Sequence, residues 1–259
     1  MKERLLLVPV GVWMAFFALA SVLVALPGID LRLAGLFFTP GEGFAFDDTP
    51  LERFVYHSVE WLTLWGNLAL VALWVYGRVA RSVRWRLSGR QLTCLLLSLA
   101  IGPGLIVNGL FKEHWGRARP VQVAQFGGER TFSPAFIPSD QGGGSFSSGH
   151  AAAAFYWMAV AALLSGRRRR LWLGLAVSYG VLVGLVRMAA GGHYFSDVVV
   201  SFFVVLILTL MLEQLLLRGL ASSRPARSEQ AVSRLHYEPG AARPGLAVHR
   251  GGRQRRRTP

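Results

Sequence analysis

Cysteine is almost missing from this chain. Cys94 is the only one in 259 residues. That excludes an internal disulfide, so nothing covalent staples the connecting segments. Acidic residues are scarce too: 14 Asp and Glu stand against 28 Lys and Arg, a formal net charge of +14. No His-Glu-x-x-His occurs, which removes the helix-borne zinc-protease motif. No internal repeat is visible, so repeat architectures find no support. What the chain has in plenty is apolar sequence, with 53% hydrophobic residues and a mean hydropathy of +0.40.

The apolar residues fall in six runs of about 20, the length a helix needs to cross a bilayer core. They cover 5–27, 58–77, 91–111, 148–165, 171–190 and 196–217. This predicts an all-α, polytopic membrane protein with six transmembrane helices in a domain over 1–217. The stretch 218–259 is rich in Arg, Ser, Pro and Gly and reads as a basic, disordered tail suited to anionic head groups. Met1-Lys2-Glu3-Arg4 before the first run mimics a signal peptide, but the run is long for one and suits a spanning helix better.

The basic excess invites a nucleic-acid reading, and its distribution argues against one. Lys2 and Arg4 precede the first run, Arg78, Arg81, Arg84, Arg86 and Arg90 follow the second, Arg167 to Arg170 follow the fourth, and ten arginines follow the sixth. The alternate connections hold only Arg32, Arg53, Lys112, Arg117, Arg119, Arg130 and Arg187. Basic loops stay cytoplasmic, so both termini are expected inside. Three chemistry-bearing segments then reach the same outer face: Lys112 to Pro120 after the third run, Ser147-Ser148-Gly149-His150 before the fourth, and Arg187 to Asp197 between the fifth and sixth.

Lys112 and Arg119 are about two helical turns apart and can share a face, and Pro120 biases Arg119 away from helix. Two such cations suit a tetrahedral dianion, Arg as a planar fork and Lys as a point charge; alone, each equally suits snorkelling toward head groups. Ser148 and Gly149 open a helix after Gly142-Gly143-Gly144. The backbone N–H groups there bind anions, and the bland alternative for Ser148 is a plain N-cap. His150 can hand a proton to a leaving oxygen. His193 and Asp197 lie one turn apart if the segment is helical, so the carboxylate can accept the imidazole N–H and leave the other nitrogen as a nucleophile. A His–Asp pair that only ties a loop to a helix is the alternative. His114, His150, His193 and Asp197 can ligate zinc on composition alone, but the cations beside them favour phosphate over a divalent ion. His114 and Arg117 take no role from sequence.

Lys112-x6-Arg119-Pro120, Ser148-Gly149-His150 and Arg187-x5-His193-x3-Asp197 together resemble the three-part signature of the type 2 phosphatidic acid phosphatase (PAP2) superfamily, membrane relatives of soluble acid phosphatases and vanadium haloperoxidases. The signature spans 112–197. Ser147 stands where the family usually has proline, and Val186 where it often has serine, which can remove one hydroxyl from the phosphate pocket. The resemblance implies that His193 attacks phosphorus, Asp197 orients it, and His150 protonates the leaving group and then activates water. Lys112, Arg119, Ser148, Gly149 and Arg187 would hold the phosphoryl oxygens, with no metal or other cofactor. It also implies a membrane lipid phosphate as substrate, with no nucleic acid and no obligate protein partner.

An outward site implies a head group in the outer leaflet of a bacterial-type inner membrane, with the active site facing the periplasm. Trp115-Gly116-Arg117-Ala118-Arg119-Pro120 running into Phe126-Gly127-Gly128, together with the 28–57 loop, resembles the lipid A phosphatase branch, the 4′-type more than the 1-type. Undecaprenyl diphosphate or phosphatidylglycerophosphate phosphatases and a lipid phosphotransferase stand as alternatives. The 121–147 loop reads as a lid. A soluble haloperoxidase is opposed by the six runs. A transporter would place polar groups mid-bilayer at broken helices, and Asn67, Asn108 and the Gly102-Pro103-Gly104 break are its only hints.

Overall fold

The computed structural model describes residues 4–5, 7–80 and 86–218. Lys2, Arg81, Arg84 and the tail from 219 onward, all used in the charge argument, lie outside the described residues. The apolar runs become helices. A two-residue hairpin pairs β1 (Arg4–Leu5) with β2 (Val8–Pro9) and leads into α1 (Val10–Ala25) and α2 (Gly28–Gly35). A second small hairpin, β3 (Phe38–Thr39) with β4 (Gly43–Phe44), precedes α3 (Pro50–Val79). Then come α4 (Gly89–Leu99), a long connection over 113–148, α5 (Gly149–Phe155), α6 (Gly166–Ala189) and α7 (Phe195–Leu212).

Three of these helices change pitch instead of ending. α4 continues as a π-helical stretch, Ala100–Lys112; α5 tightens into a 3₁₀ stretch, Tyr156–Leu163; α7 widens over Glu213–Arg218. The first change has a local cause. Pro103 has no N–H and cannot serve the ordinary ladder, and the wider turn accommodates it. Asn108 Nδ2 then donates to the Pro103 carbonyl at 2.7 Å. Asn67 is likewise satisfied, accepting from Tyr156 Oη at 2.6 Å and donating to the Thr63 carbonyl at 2.8 Å. The two asparagines that hinted at a transporter thus mend helices and tie α3 to α5.

Four helical rods are long and apolar enough to cross a membrane: Pro50–Val79, Gly89–Lys112, Gly166–Ala189 and Phe195–Arg218. Helices α1 and α2 pass the same test only as a pair bent by 85°, and Gly149–Leu163 is apolar but shorter. Of the six expected spans, four are therefore seen as full-length rods, or five if the bent pair counts as one, and Gly149–Leu163 falls short of the length. Large apolar side chains cover the outside; on α3, Trp61, Leu64, Trp65 and Leu68 are all exposed.

Caps and small residues set the helix geometry. Thr49 caps α3 by accepting from the Glu52 N–H, with Pro50 at the first helical position. Ser88 and Gln91 form a reciprocal capping box on α4. The short α5 sits at the centre, with Ala151, Ala152 and Ala154 fully buried. Around it, α6 comes in close because Gly180 faces the Phe155 ring: a Cβ there would lie 2.1 Å from Cδ1. Gly184 does the same for α7, where a Cβ would meet Val198 at 2.5 Å. Small residues permit such close approach between apolar helices. At the end opposite the site, Arg169 bridges α6 to Glu213 through two bonds of 2.8 and 2.9 Å.

The 113–148 connection is a packed wall and not a detached lid. Ser139 N–H bonds to Trp115 O, Gly143 N–H to Gly116 O and Ser145 N–H to Arg117 O, at 2.8 to 3.0 Å. Gly116, at φ +65°, is required by this return, since a Cβ would sit 1.8 Å from Ser139 O. Phe111, Trp115, Phe136 and Phe146 fill the inside of the wall. Phe126 packs at a steep angle against Phe38 and Phe44, with centroids 5.1 and 5.3 Å apart, which joins the wall to the second hairpin.

Candidate active site

The three segments converge. One cavity of about 660 Å³ is lined by Lys112, Arg119, Gly149, His150, Arg187 and His193 at one end. The remainder is a lane between α3 and α4, lined chiefly by Val59, Leu64, Leu68, Val71, Leu96 and Leu99. From Tyr56 to Val71 that lane follows about 22 Å of helix.

Lys112 ends its helical stretch, and the chain leaves helix before Arg119, so the two cations do not share a helical face. They meet through the wall: a Cβ at Gly144 would lie 3.4 Å from Lys112 Cγ and 3.9 Å from Arg119 Nη2. Arg119 is extended before Pro120, at φ −75° and ψ 157°, as the proline dictates. Burial, then Arg187, lowers the Arg119 pKa from its usual value. A cavity that already strains its own positive charges favours a dianion.

His193 is 4% exposed, just ahead of α7. Its Nδ1 lies 2.7 Å from the Ser145 carbonyl and 3.8 Å from Asp197 Oδ2. The nearest acceptor is thus a backbone oxygen and not the carboxylate expected from the spacing. A carbonyl only accepts, so Nδ1 carries the proton and Nε2 keeps its lone pair. Burial pushes the imidazole pKa below its usual value; Asp197 works against this, and Arg187 and Arg119 add to it.

Asp197 is fully buried behind the imidazole and has its own partners. Arg117 Nη1 donates to Oδ1 at 2.6 Å; Ser145 Oγ and the Tyr194 N–H reach Oδ2 at 2.6 and 2.8 Å. It sits in the first turn of α7, not one turn beyond a helical His193, which is why the expected N–H contact does not form. At 3.8 Å it acts on the ring as a charge.

Arg117, unassigned from sequence, is the centre of this support. It has 0% exposure and donates to the Ser133 carbonyl, Ser196 Oγ, Asp197 Oδ1 and Asp30 Oδ2, between 2.6 and 2.8 Å. Tyr194 stacks on its guanidinium at 4.3 Å. Burial alone would lower its pKa, but the Asp197 and Asp30 carboxylates overcome this and raise it. Asp30, on α2, also accepts from the Ser196 N–H at 2.9 Å. Nothing in the sequence singled out this pair, since Asp30 is one of five acids in the 28–57 segment.

Ser148 is fully buried and does not line the cavity; its Oγ accepts from the Ala151 N–H at 3.4 Å as the N-cap of α5. Gly149 does line it, and a Cβ there would meet Asn108 Oδ1 at 2.7 Å. The His150 ring packs on Tyr56 at 3.9 Å. Ser147 is fully buried and its hydroxyl has no hydrogen-bond partner among the described residues. Val186 packs with Val55, Val59 and Ala154 and does not itself line the cavity. His114 is exposed, with its Nδ1 3.1 Å from the Leu110 carbonyl. Sequence reasoning missed Glu52 and Tyr56, which bracket Arg187 from α3. Among the described residues, no three His, Cys, Asp or Glu side chains gather as a metal site would require.

Residues 91–218 match the model of the PAP2 superfamily. Three curated proteins named lipid A 4′-phosphatase are similar over most of their length. The one from Francisella tularensis subsp. novicida is 34% identical, over 73% of this chain and 86% of its own. That from Rhizobium leguminosarum is 30% identical over 73% and 87%, and that from Rhizobium etli 28% over 71% and 77%. No solved structure matches the chain. The chain belongs to the PAP2 superfamily and, within it, to the branch that holds these lipid A 4′-phosphatases.

Proposed function

We propose that this protein hydrolyses the 4′-phosphate of lipid A at the outer face of a bacterial inner membrane, through a phosphohistidine on His193. The observation that carries this is the single cavity whose one end holds three cations and two histidines while the rest is an apolar lane. A phosphate ester on an acylated head group fits both ends at once. The names of the similar proteins favour lipid A and its 4′ position.

In the first step, His193 Nε2 attacks phosphorus as the bond to the lipid oxygen breaks. His150, protonated once the anion is bound, gives its proton to that oxygen, so the lipid leaves as an alcohol. In the second, neutral His150 takes a proton from water, the oxygen attacks phosphorus, and the phosphorus–nitrogen bond breaks to release phosphate. Lys112, Arg119, Arg187 and the Gly149 N–H stabilise charge on the equatorial oxygens through both steps. Asp197 stabilises the cation that forms on His193. Ser148 supports the loop as an N-cap.

The placement follows from charge. With both termini cytoplasmic, the six helical units, the bent pair and the short α5 rod included, cross in turn and put the cavity's cationic end outside. The test is phosphate release from purified lipid A by the detergent-solubilised protein, with EDTA present and His193→Ala as control. Release by the wild type alone, with a product whose fragments lack the 4′-phosphate, is expected. A folded wild type that leaves lipid A intact but dephosphorylates undecaprenyl diphosphate would overturn the substrate.

A further inference from the structure

Glu52 is a carboxylate where repulsion of the substrate would be expected. It lies in the first turn of α3, 9% exposed, and pairs with Arg187 on the wall of the cationic cavity. Its side chain is not needed to start the helix, because Thr49 caps α3 through the Glu52 backbone N–H. The contact it makes is specific: Arg187 Nη1 donates to Glu52 Oε1.

The other sides of that guanidinium are fixed as well. Gly192 lies against Nη2, where a Cβ would be 2.5 Å away. The Tyr56 ring sits 5.3 Å from Cζ. The Nε–H is buried and has no hydrogen-bond partner among the described residues. An arginine offers two bidentate edges, one made by Nη1 and Nη2, the other by Nε and Nη2. Glu52 occupies Nη1 and so removes the first. Nε on the second is closed off from the cavity, so the guanidinium has little room to turn away from the position that Glu52 gives it.

We infer that Glu52 is a positioning residue, which pins Nη1 and so holds the Arg187 guanidinium on the cavity wall where it can meet the phosphoryl oxygens. This rests on the phosphatase reading above.

The test is binding of inorganic phosphate to the purified full-length protein by calorimetry, alongside turnover of lipid A. The variants are Glu52→Ala, Glu52→Gln, Arg187→Lys and the Glu52→Ala/Arg187→Lys pair. Glu52→Ala is expected to weaken phosphate binding and to lower kcat/KM by about tenfold, the lower end for loss of an orienting partner. Glu52→Gln recovers most of both, because its amide oxygen still accepts from Nη1. In the Arg187→Lys background, Glu52→Ala adds little, since the group it orients is gone. Should Glu52→Ala not fold, Glu52→Asp, one methylene too short, takes its place. Unchanged or tighter phosphate binding in Glu52→Ala, or full additivity with Arg187→Lys, would overturn the inference. Phosphate binding needs no turnover, so a wild type that binds phosphate in a Glu52-dependent way but dephosphorylates no lipid would sink the function and leave the inference standing.

Discussion

His193 presents Nε2 to the cavity because Ser145, a backbone carbonyl, holds Nδ1. Replacing His193 by Ala is expected to reduce phosphate release by about a thousandfold or more, because the proposed nucleophile is lost. The pH dependence has a definite sign. A depressed imidazole pKa keeps Nε2 unprotonated at pH values more acid than usual for histidine. The acid limb of kcat/KM therefore lies below about 6.5, the unperturbed value. Asp197→Asn removes the charge that opposes this depression, so the limb should move to still lower pH while kcat falls. A limb that moved upward in Asp197→Asn would contradict the geometry. Arg117 belongs to the same scale. Arg117→Met leaves Asp30 and Asp197 buried without their shared cation, a loss of about 3–5 kcal/mol. The melting temperature in detergent reads this directly, and Arg117→Lys should rescue little, since one ammonium cannot replace four directed bonds.

Helices place these residues to within a turn, and the departures come from breaks in helical regularity. Lys112 sits at the end of a π-helical stretch that Pro103 and Asn108 shape. The apolar run at 91–111 was legible in composition, but its pitch was not, because hydrophobic content carries no signal for the hydrogen-bond ladder. The Lys112–Arg119 spacing suggested a shared helical face; Gly116 turns the chain out of helix first, and Gly144 on the returning wall brings the cations together. The 121–147 segment looked like a lid because it is long and rich in Gly and Phe. Its phenylalanines instead pack inward, which alternation-free sequence cannot reveal. Where helices touch, small residues decide the fit. Gly180→Ala puts a methyl 2.1 Å from the Phe155 ring, an overpacking worth about 1–3 kcal/mol. Combining it with Phe155→Leu should recover part of the lost thermal stability, and equal losses in the single and double variants would argue against that contact.

For the whole molecule, the apolar runs and the alternation of basic loops were enough to bring Lys112, Gly149, His150, Arg187 and His193 to one end. They could not supply Asp30, Glu52 or Ser145, because each acts through a contact between segments far apart in sequence. Buried Cys94, the only cysteine, makes topology easy to test. Glu129→Cys on the wall and Arg170→Cys near the start of α6 are both exposed positions. A membrane-impermeant thiol reagent applied to intact spheroplasts should label the first and spare the second; the reverse would place the site inside. The most direct test of the central claim is the covalent intermediate. Substrate is mixed with excess His150→Ala enzyme, the reaction is quenched in base, and peptide masses are read. One added phosphoryl group on His193 is the predicted result, absent from His193→Ala. Turnover by the wild type with no phosphoryl group on His193 in any variant would contradict the account.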